Sequence, residues 1–510
     1  MPPPGSGTPM QEIELKFQVP PERAAGVRRA VNTASSQAQR LRAQYFDTPD
    51  RRLAAAGLAL RLRQERGHWV QTVKGRGDGV MRRAEHEVPV PAGDGPPALD
   101  LARHDGTPVA SALREVLQRG AAADLAAVFA TDIRRTRREV RTAGGALVEI
   151  AFDEGEVQGA GRVAPVLEVE FELLRGAPSA LAAQAARWVT RHHLWLDTRS
   201  KAERGDRLAR SLDAVAAVKA TRPFLHPAMS GEQALRAMLG NCLEQVLANA
   251  SELAAGSGTP EHLHQCRIGL RRLRCALRDF AVLAGQAAPA ASAAWQAQAS
   301  ALFRRLGGTR DRDALQEHLL PALVAAGAPF RDLPAAPGAA EDPGALLRER
   351  EANGFWLELL AYIHGEAAAA DTPGGPRELR RSVRATLQRL HRQVASDAVR
   401  YADLDEAGQH RVRKRLKRLR YGVEFCCTLF PAAAVARYLG ALRPAQDALG
   451  ERQDLLVAQS LFEAQLPADP RAWFAVGWLA ARRAQAVARC SEALAGVAQA
   501  PRFWSGRAAD

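Results

Sequence analysis

At 510 residues the chain is longer than one hydrophobic core ordinarily supports, so two or more domains are expected. A content of 47% hydrophobic and 25% charged residues excludes a disordered chain, and a formal net charge of +14 points to anionic partners. Only 5% of residues are aromatic, which argues against recognition of single-stranded nucleic acid by stacking, so nucleic acid is not expected as a partner. No run of ~18 uninterrupted apolar residues offers a membrane span, and no membrane partner is expected. Cys242, Cys266, Cys275, Cys426, Cys427 and Cys490 lack zinc-ligand spacing and read as reduced thiols. Together with the absence of an apolar stretch in Met1 to Gly7, they make the cytoplasm the expected compartment.

In chain order, Gln11 to Phe17 comes first. Charged and apolar residues alternate, so in a strand Glu12, Glu14 and Lys16 share one face while Ile13, Leu15 and Phe17 share the other. Two carboxylates about 7 Å apart suit a hard divalent cation such as Mg²⁺ or Mn²⁺. Further strands are predicted over 58–66, 68–75, 83–90, 132–141, 146–153 and 165–174, and helices over 21–31, 108–119 and 178–193. Residues 208–225 read as a linker, and from 226 the texture is Ala/Leu/Arg-rich and helical. The domains expected are therefore 10–207 and 226–505, the second in halves of about 226–325 and 375–505.

The predicted strands put charge on one face throughout. Arg61 and Arg63 alternate with Leu60 and Leu62, Lys74 follows Val73, and Arg83, Glu85 and Glu87 alternate with Ala84 and His86. Arg135 and Arg137 make another pair, although Arg134 and Arg138 offer a competing register. Glu149 and Asp153 share a face, and Glu168, Glu170 and Glu172 repeat the opening pattern. A wet sheet face would mix Ser, Thr and Gln with its charges. A closed antiparallel barrel with a charged lumen, its apolar outside covered by helices, accounts for the pattern. Cations orient phosphoryl oxygens and carboxylates hold the metal that bridges to them, which is the equipment of phosphoryl chemistry. Glu85 and Glu87 read equally as ligands or as charge partners of the arginines.

Glu12-x-Glu14-x-Lys16, Tyr45 to Pro49, Leu60 to Arg63, Thr72 to Gly75, Arg83-x-Glu85-x-Glu87, Glu168-x-Glu170-x-Glu172 and Ser200 to Gly205 resemble the CYTH family of triphosphate tunnel metalloenzymes. The resemblance implies an eight-stranded antiparallel tunnel. Glu12, Glu14, Glu168, Glu170 and Glu172 would face Mg²⁺ or Mn²⁺. Lys16, Arg61, Arg63, Lys74, Arg83, Arg135, Arg137 and Lys201 would face a triphosphate, with Lys16 and Glu14 closest to the chemistry.

The helical half contains a repeat. His264-x-x-Arg267, Arg271 and Arg274 recur at identical spacing as His410-x-x-Arg413, Lys417 and Arg420, and each set is followed by Leu-Gly and, later, Asp311 or Asp454. At 100° per residue each set forms one stripe, within about 80° of arc. Little acidic compensation accompanies the stripes, so a polyanion is the natural ligand. This half, with Arg310 to Asp313 and Lys417 to Tyr421, resembles the CHAD domain, which implies an all-α fold that binds inorganic polyphosphate. The fold expected is thus α+β and multidomain: an N-terminal eight-stranded antiparallel tunnel with flanking helices and a C-terminal, duplicated all-α bundle. Metal-dependent hydrolysis of inorganic triphosphate with polyphosphate binding is the function expected. An adenylate cyclase or a hydrolase of thiamine triphosphate or nucleoside triphosphates is the alternative, and a non-catalytic polyphosphate binder the next.

Overall fold

The first strand is where the sheet closes on itself. In the computed structural model, β1 (Gln11–Gln18) is paired along both of its edges, with three other strands, so the sheet has no free edge there. The structure describes residues 11–77, 79–91, 95–117, 124–287, 291–307, 315–334, 341–365 and 376–505.

The remaining strands are β2 (Gln37–Asp47), β3 (Ala59–Glu65), β4 (His68–Arg76), β5 (Arg82–Val90), β6 (Ala126–Arg141), β7 (Leu147–Gly159), β8 (Arg162–Arg175) and the two-residue β9 (Trp195–Leu196). Their order is β5-β4-β3-β2-β6-β7-β8-β1-β9, with β1 also pairing β5. Every pairing is antiparallel, so β1 to β8 form a closed eight-stranded barrel. Two hairpins turn on residues with positive φ, Arg66-Gly67 (46° and 80°) and Ala160-Gly161 (50° and 73°), the type I′ geometry that matches strand twist.

The outward alternate positions are apolar and are covered by helices. Phe17 meets Phe171 edge-on at 5.6 Å, and Phe171 meets Trp188 of α4 (Pro178–His192) at 5.7 Å. Leu60 and Val73 pack with Val109 and Leu113 of α3 (Pro108–Leu117). The helices α1 (Ala24–Val31) and α2 (Arg52–Ala55) complete this cover; α2 starts where the Asp47 carboxylate accepts the backbone N–H groups of Leu53 and Ala54 at 2.9 and 3.0 Å.

One helix lies against the lumen. α5 (Lys201–Ala209) opens with a capping box in which the Ser200 hydroxyl accepts the Glu203 N–H and the Glu203 carboxylate accepts the Ser200 N–H. Its Ala202, Leu208 and Ala209 pack with Leu41, Ala43, Phe129 and Ile133, giving part of the barrel interior an apolar core. A side chain at Gly205 would come within 2.2 Å of the Phe129 ring, so only glycine fits there.

Beyond the barrel the chain is helical: α6 (Gly231–Ala254), α7 (Pro260–Asp279), α8 (Ser292–Arg305), α9 (Leu320–Ala325), α10 (Pro343–Arg348), α11 (Arg350–His364), α12 (Pro376–Ala398), α13 (Glu406–Cys426), α14 (Ala432–Gln465) and α15 (Ala472–Gln499). Contacts divide the chain into two compact units. The first comprises residues Met1–Val218, Leu247–His262 and Gly344–Glu366; the second comprises Lys219–Val246, Leu263–Pro343 and Ala367–Asp510. No helix among the described residues is long and apolar enough to cross a membrane.

The charge and hydropathy pattern predicts seven strands. The eighth, β2, carries Gln39, Leu41, Ala43 and Tyr45 on the lumen side, so the charged alternation that marks the other strands is missing from it.

Candidate active site in the charged lumen

The closed barrel turns the alternation of each strand into a ring of inward groups around a cavity of about 1270 Å³. Closure also sets β1 beside β8. Glu14 then lies opposite Glu172, and Lys16 opposite Glu170. On the other flank of β8, Glu172 lies opposite Glu149. Three carboxylates on three adjacent strands thus make one row. Burial and the neighbouring Glu149, with lesser contributions from Glu14 and Glu85, push the Glu172 carboxyl up to about 6.

Four of the cations, Arg61, Arg63, Lys74 and Arg83, lie across β3, β4 and β5. Arg61 and Arg63 each reach Glu87 at 3.2 Å, and Arg63 also reaches Glu65 at 3.3 Å. Lys74 lies 2.6 Å from Glu85 and 3.2 Å from Glu12; these carboxylates more than offset its burial and raise its pKa. Arg83 approaches Glu14 at 3.4 Å. The Nε atoms of Arg61 and Arg63 are buried and have no hydrogen-bond partner among the described residues. Lys16 lines the cavity and forms no ion pair with a described residue.

A separate, tighter network lies where α5 meets the barrel. Asp153, Glu168 and Glu170 offer oxygens that lie within 4.8 Å of one another. The Lys201 ammonium occupies their midst, 2.7 Å from Asp153 and 2.8 Å from Glu170, and it also contacts Glu168. Arg135 makes a two-pronged contact with Asp153, 2.7 Å on each prong, and touches Glu170. The two cations hold Glu170 well below the usual carboxylate range against the opposing effect of burial. Glu168 has no exposed surface and is also held by Arg204 at 2.9 Å and Gln18 at 3.2 Å.

Of the residues singled out from sequence, Glu12, Glu14, Glu170 and Glu172 line the cavity, as do Lys16, Arg61, Arg63, Lys74, Arg83, Arg135, Arg137 and Lys201. Glu168 is closed off behind Lys201 and Arg204. The register at β6 is settled: Arg135 and Arg137 line the cavity, while Arg134 and Arg138 occupy the alternate positions. Arg137 pairs with Glu149 at 3.1 Å. Glu85 and Glu87 act as partners of the lumen cations. Within the Ser200 to Gly205 motif the sequence gives Arg204 no role of its own; its place four residues before Leu208 of the lumen helix is the available clue.

In the second unit the two stripes meet. Burial and the neighbouring Arg271, with Arg413 and Arg420, drive Lys417 down to about 6. Arg267, Arg271 and Arg274 gather over the Phe303 ring of α8, at 5.1, 5.3 and 5.4 Å from its centroid. His410 hydrogen-bonds Gln453 at 2.8 Å, and Arg420 is compensated by Glu424 one turn on, at 2.7 Å. The repeat shows in Arg272 and Arg418, its equivalent positions. Both turn away from the stripes: Arg272 onto Gln245 and Asn241, Arg418 onto Asp279. Arg310 to Asp313 lie outside the described residues.

A CYTH domain family model matches residues 10–205, and a CHAD domain family model matches residues 237–463. The chain belongs to the proteins that join a CYTH domain to a CHAD domain. It is similar to an inorganic triphosphatase of Haemophilus influenzae, at 28% identity over 204 residues, which is 38% of this chain and 54% of that protein. The match thus spans about half the length of that curated relative. Among solved structures, the CHAD domain of the plant Ricinus communis is 30% identical, covering 56% of this chain and 98% of that one, with a TM-score of 0.46. A candidate adenylyl cyclase from Hippeastrum, described with a dominant triphosphatase activity, is 16% identical over 39% of this chain and 95% of its own, with a TM-score of 0.28.

Proposed function

We propose that the barrel hydrolyses inorganic triphosphate with the help of Mg²⁺ or Mn²⁺, in the cytoplasm, and that the helical unit binds inorganic polyphosphate. The observation that carries the reading is the division of one closed lumen into a cationic arc on β3 to β5 and a carboxylate row on β1, β8 and β7. The likeness to an inorganic triphosphatase supports the same substrate class.

The residues fit a hard cation. Glu12, Glu14, Glu170 and Glu172 present oxygen donors only, and the raised pKa of Glu172 marks negative charge short of a partner. These four would hold the ion, which when bound supplies neutralisation of phosphoryl charge. The chain supplies the rest. Arg61, Arg63, Lys74 and Arg83 bind and orient the phosphoryl oxygens. Lys16, which forms no ion pair with a described residue, follows the charge that develops at the bridging oxygen. The network of Lys201, Arg135, Asp153 and Glu168 fixes the wall beside it.

The test is phosphate release from inorganic triphosphate, pyrophosphate, ATP and thiamine triphosphate, with and without each metal. Triphosphate is expected to be the best substrate, and Glu14→Gln to remove the metal-dependent rate while leaving the fold intact. Equal turnover of pyrophosphate, or an unimpaired Glu14→Gln enzyme at saturating metal, would refute the reading. For the helical unit, the meeting of Arg271 and Lys417 supports a polyanion track. Salt-sensitive binding of long-chain polyphosphate, lost on Arg271→Glu with Lys417→Glu, is the expected result.

A further inference from the structure

We propose that Gln71, His86 and His104 form an acid-sensitive latch on the outer wall of the barrel. It docks the segment 99–107 onto β4 and β5 at neutral pH and releases it in acid. His86 lies opposite Val73 across β4 and β5, and Val73 packs with Val109 and Leu113 of α3, so this is the outward face. Gln71 shares it, two residues along the strand. The lumen groups Glu85 and Glu87 alternate with His86 on the opposite side. The segment crosses the outward face through the 3₁₀ turn Leu101–His104, and both Gln71 and His104 have no exposed surface.

Hydrogen bonds fix where each proton sits. The Gln71 side-chain oxygen accepts the Asp100 N–H at 2.9 Å, and its nitrogen donates to the Asp100 carbonyl at 2.9 Å. Those backbone groups settle the orientation of the carboxamide. The same nitrogen stands 2.9 Å from His104 Nε2, which must therefore accept. The His104 proton is then on Nδ1, 2.8 Å from His86 Nδ1, and His86 accepts it. Both ring nitrogens of His104 are thus committed in the neutral form. A second proton, on Nε2, would meet the N–H of Gln71 head-on.

The groups that face His104 do little to compensate a charge there. His86 faces it from β5, and the neutral Gln71 from β4. Asp100 and Asp105 flank it on its own segment, but Arg103 holds Asp100 at 3.1 Å and Arg114 of α3 holds Asp105 at 3.3 Å. Burial first, then His86, pull the His104 imidazole down to about 4 against the effect of these two carboxylates. That lies below the ordinary 6.5, so the contribution of His104 to docking is complete above about 6.5 and is lost as pH falls through about 4. Release slackens β5, whose Glu85 and Glu87 hold Lys74, Arg61 and Arg63.

Amide exchange of the full chain, read by mass spectrometry and corrected for the intrinsic pH dependence of exchange, tests the latch. Docking should be about tenfold weaker at pH 5.5 than at pH 7.5, the factor for an imidazole that titrates at about 4 when docked and 6.5 when released. Protection over 99–107 should fall by that factor and protection over 86–90 should fall with it, while β7 keeps its own. His104→Gln supplies a carboxamide that accepts from Gln71 and donates to His86 without titrating, so its 99–107 segment should be equally protected at both pH values. Should that variant fail to fold, nitrogen NMR of the histidine rings in the parent decides: His104 should carry its proton on Nδ1 at pH 7.5 and remain neutral at pH 5.5. Equal protection of the parent segment at both pH values, a loss spread over the whole barrel, or the same loss in His104→Gln would overturn the latch. So would a His104 proton found on Nε2. These readouts are independent of turnover, so the latch stands or falls apart from the triphosphatase reading.

Discussion

Two kinds of charged residue in the lumen look alike in sequence and separate in structure. Arg61 and Arg63 share Glu87, which is exposed enough for water to take it back. Arg61→Ala should therefore cost little stability while weakening triphosphate binding by about 1.5–3 kcal/mol, measured as the Kd without metal. Arg135 and Lys201 instead guard carboxylates that have no exposure, Asp153 and Glu168. Lys201→Met should destabilise the protein by about 3–5 kcal/mol in urea unfolding, because it leaves buried charge unpaired. A Lys201→Met protein as stable as its parent would show that the network is not structural. Glu172 gives a pH test with a definite sign. Its folded-state pKa of about 6 lies above the ordinary 4.5, so the contribution it makes to stability is complete below about 4.5 and is lost as pH rises through about 6. Without divalent metal, Glu172→Gln should melt higher than the parent above pH 6 and match it below 4.5, with added Mg²⁺ closing the gap. Identical melting curves across that window would remove the argument for unmet charge in the carboxylate row.

At the scale of elements, legibility followed chemistry. Strands whose inward positions are charged, such as Glu12-x-Glu14 and Glu168-x-Glu170-x-Glu172, announce both their period and their lumen face. β2 does not, because its inward Leu41, Ala43 and Tyr45 pack with α5 and its outward Arg40 pairs with Asp132 at 2.6 Å, reversing the usual pattern. In sequence α5 shows only as the Ser200 to Gly205 motif; nothing local shows that Gly205 is there to clear Phe129. The basic stripes were legible as helix faces, but their convergence is a tertiary fact, as is the seat that Phe303 gives three arginines. The depressed pKa of Lys417 follows from that convergence and can be measured. At pH 7.5 its amine is largely neutral in the free protein, since it titrates near 6 rather than 10.5. A polyanion that meets it must restore the proton, so polyphosphate binding should take up close to one proton at that pH. Calorimetry in buffers of different ionisation enthalpy reads the uptake, and Lys417→Gln should abolish it. Binding without proton uptake would mean that the anion does not reach Lys417.

At the scale of the molecule, the barrel's unit recruits helices from far along the chain. Leu196 donates its backbone N–H to Asn353 at 2.7 Å, and the Asn353 amide also caps carbonyls of Leu347 and Glu349. Glu252, which is 6% exposed, takes Arg207 of α5 at 2.9 Å and Arg199 at 3.6 Å. Thr198 donates its N–H to Ser251 at 3.0 Å. All of these residues belong to the first unit, although Ser251, Glu252 and Asn353 follow the barrel in sequence. A fragment ending at Val218 would keep every strand and every lumen residue but lose these partners. Its Arg207 would have no Glu252, and the backbone around Leu196 would have no amide. Loss of one charge-assisted hydrogen bond and two neutral ones sums to about 2.5–6 kcal/mol before any loss of apolar cover. The fragment 1–218 should therefore melt well below the corresponding transition of the full chain, and amide exchange should rise first in α5 and around Leu196. Because α5 carries Lys201, triphosphatase activity should fall in parallel with that loosening. A fragment as stable and as active as the full chain would show that the helical segments rest on the barrel unit without supporting it.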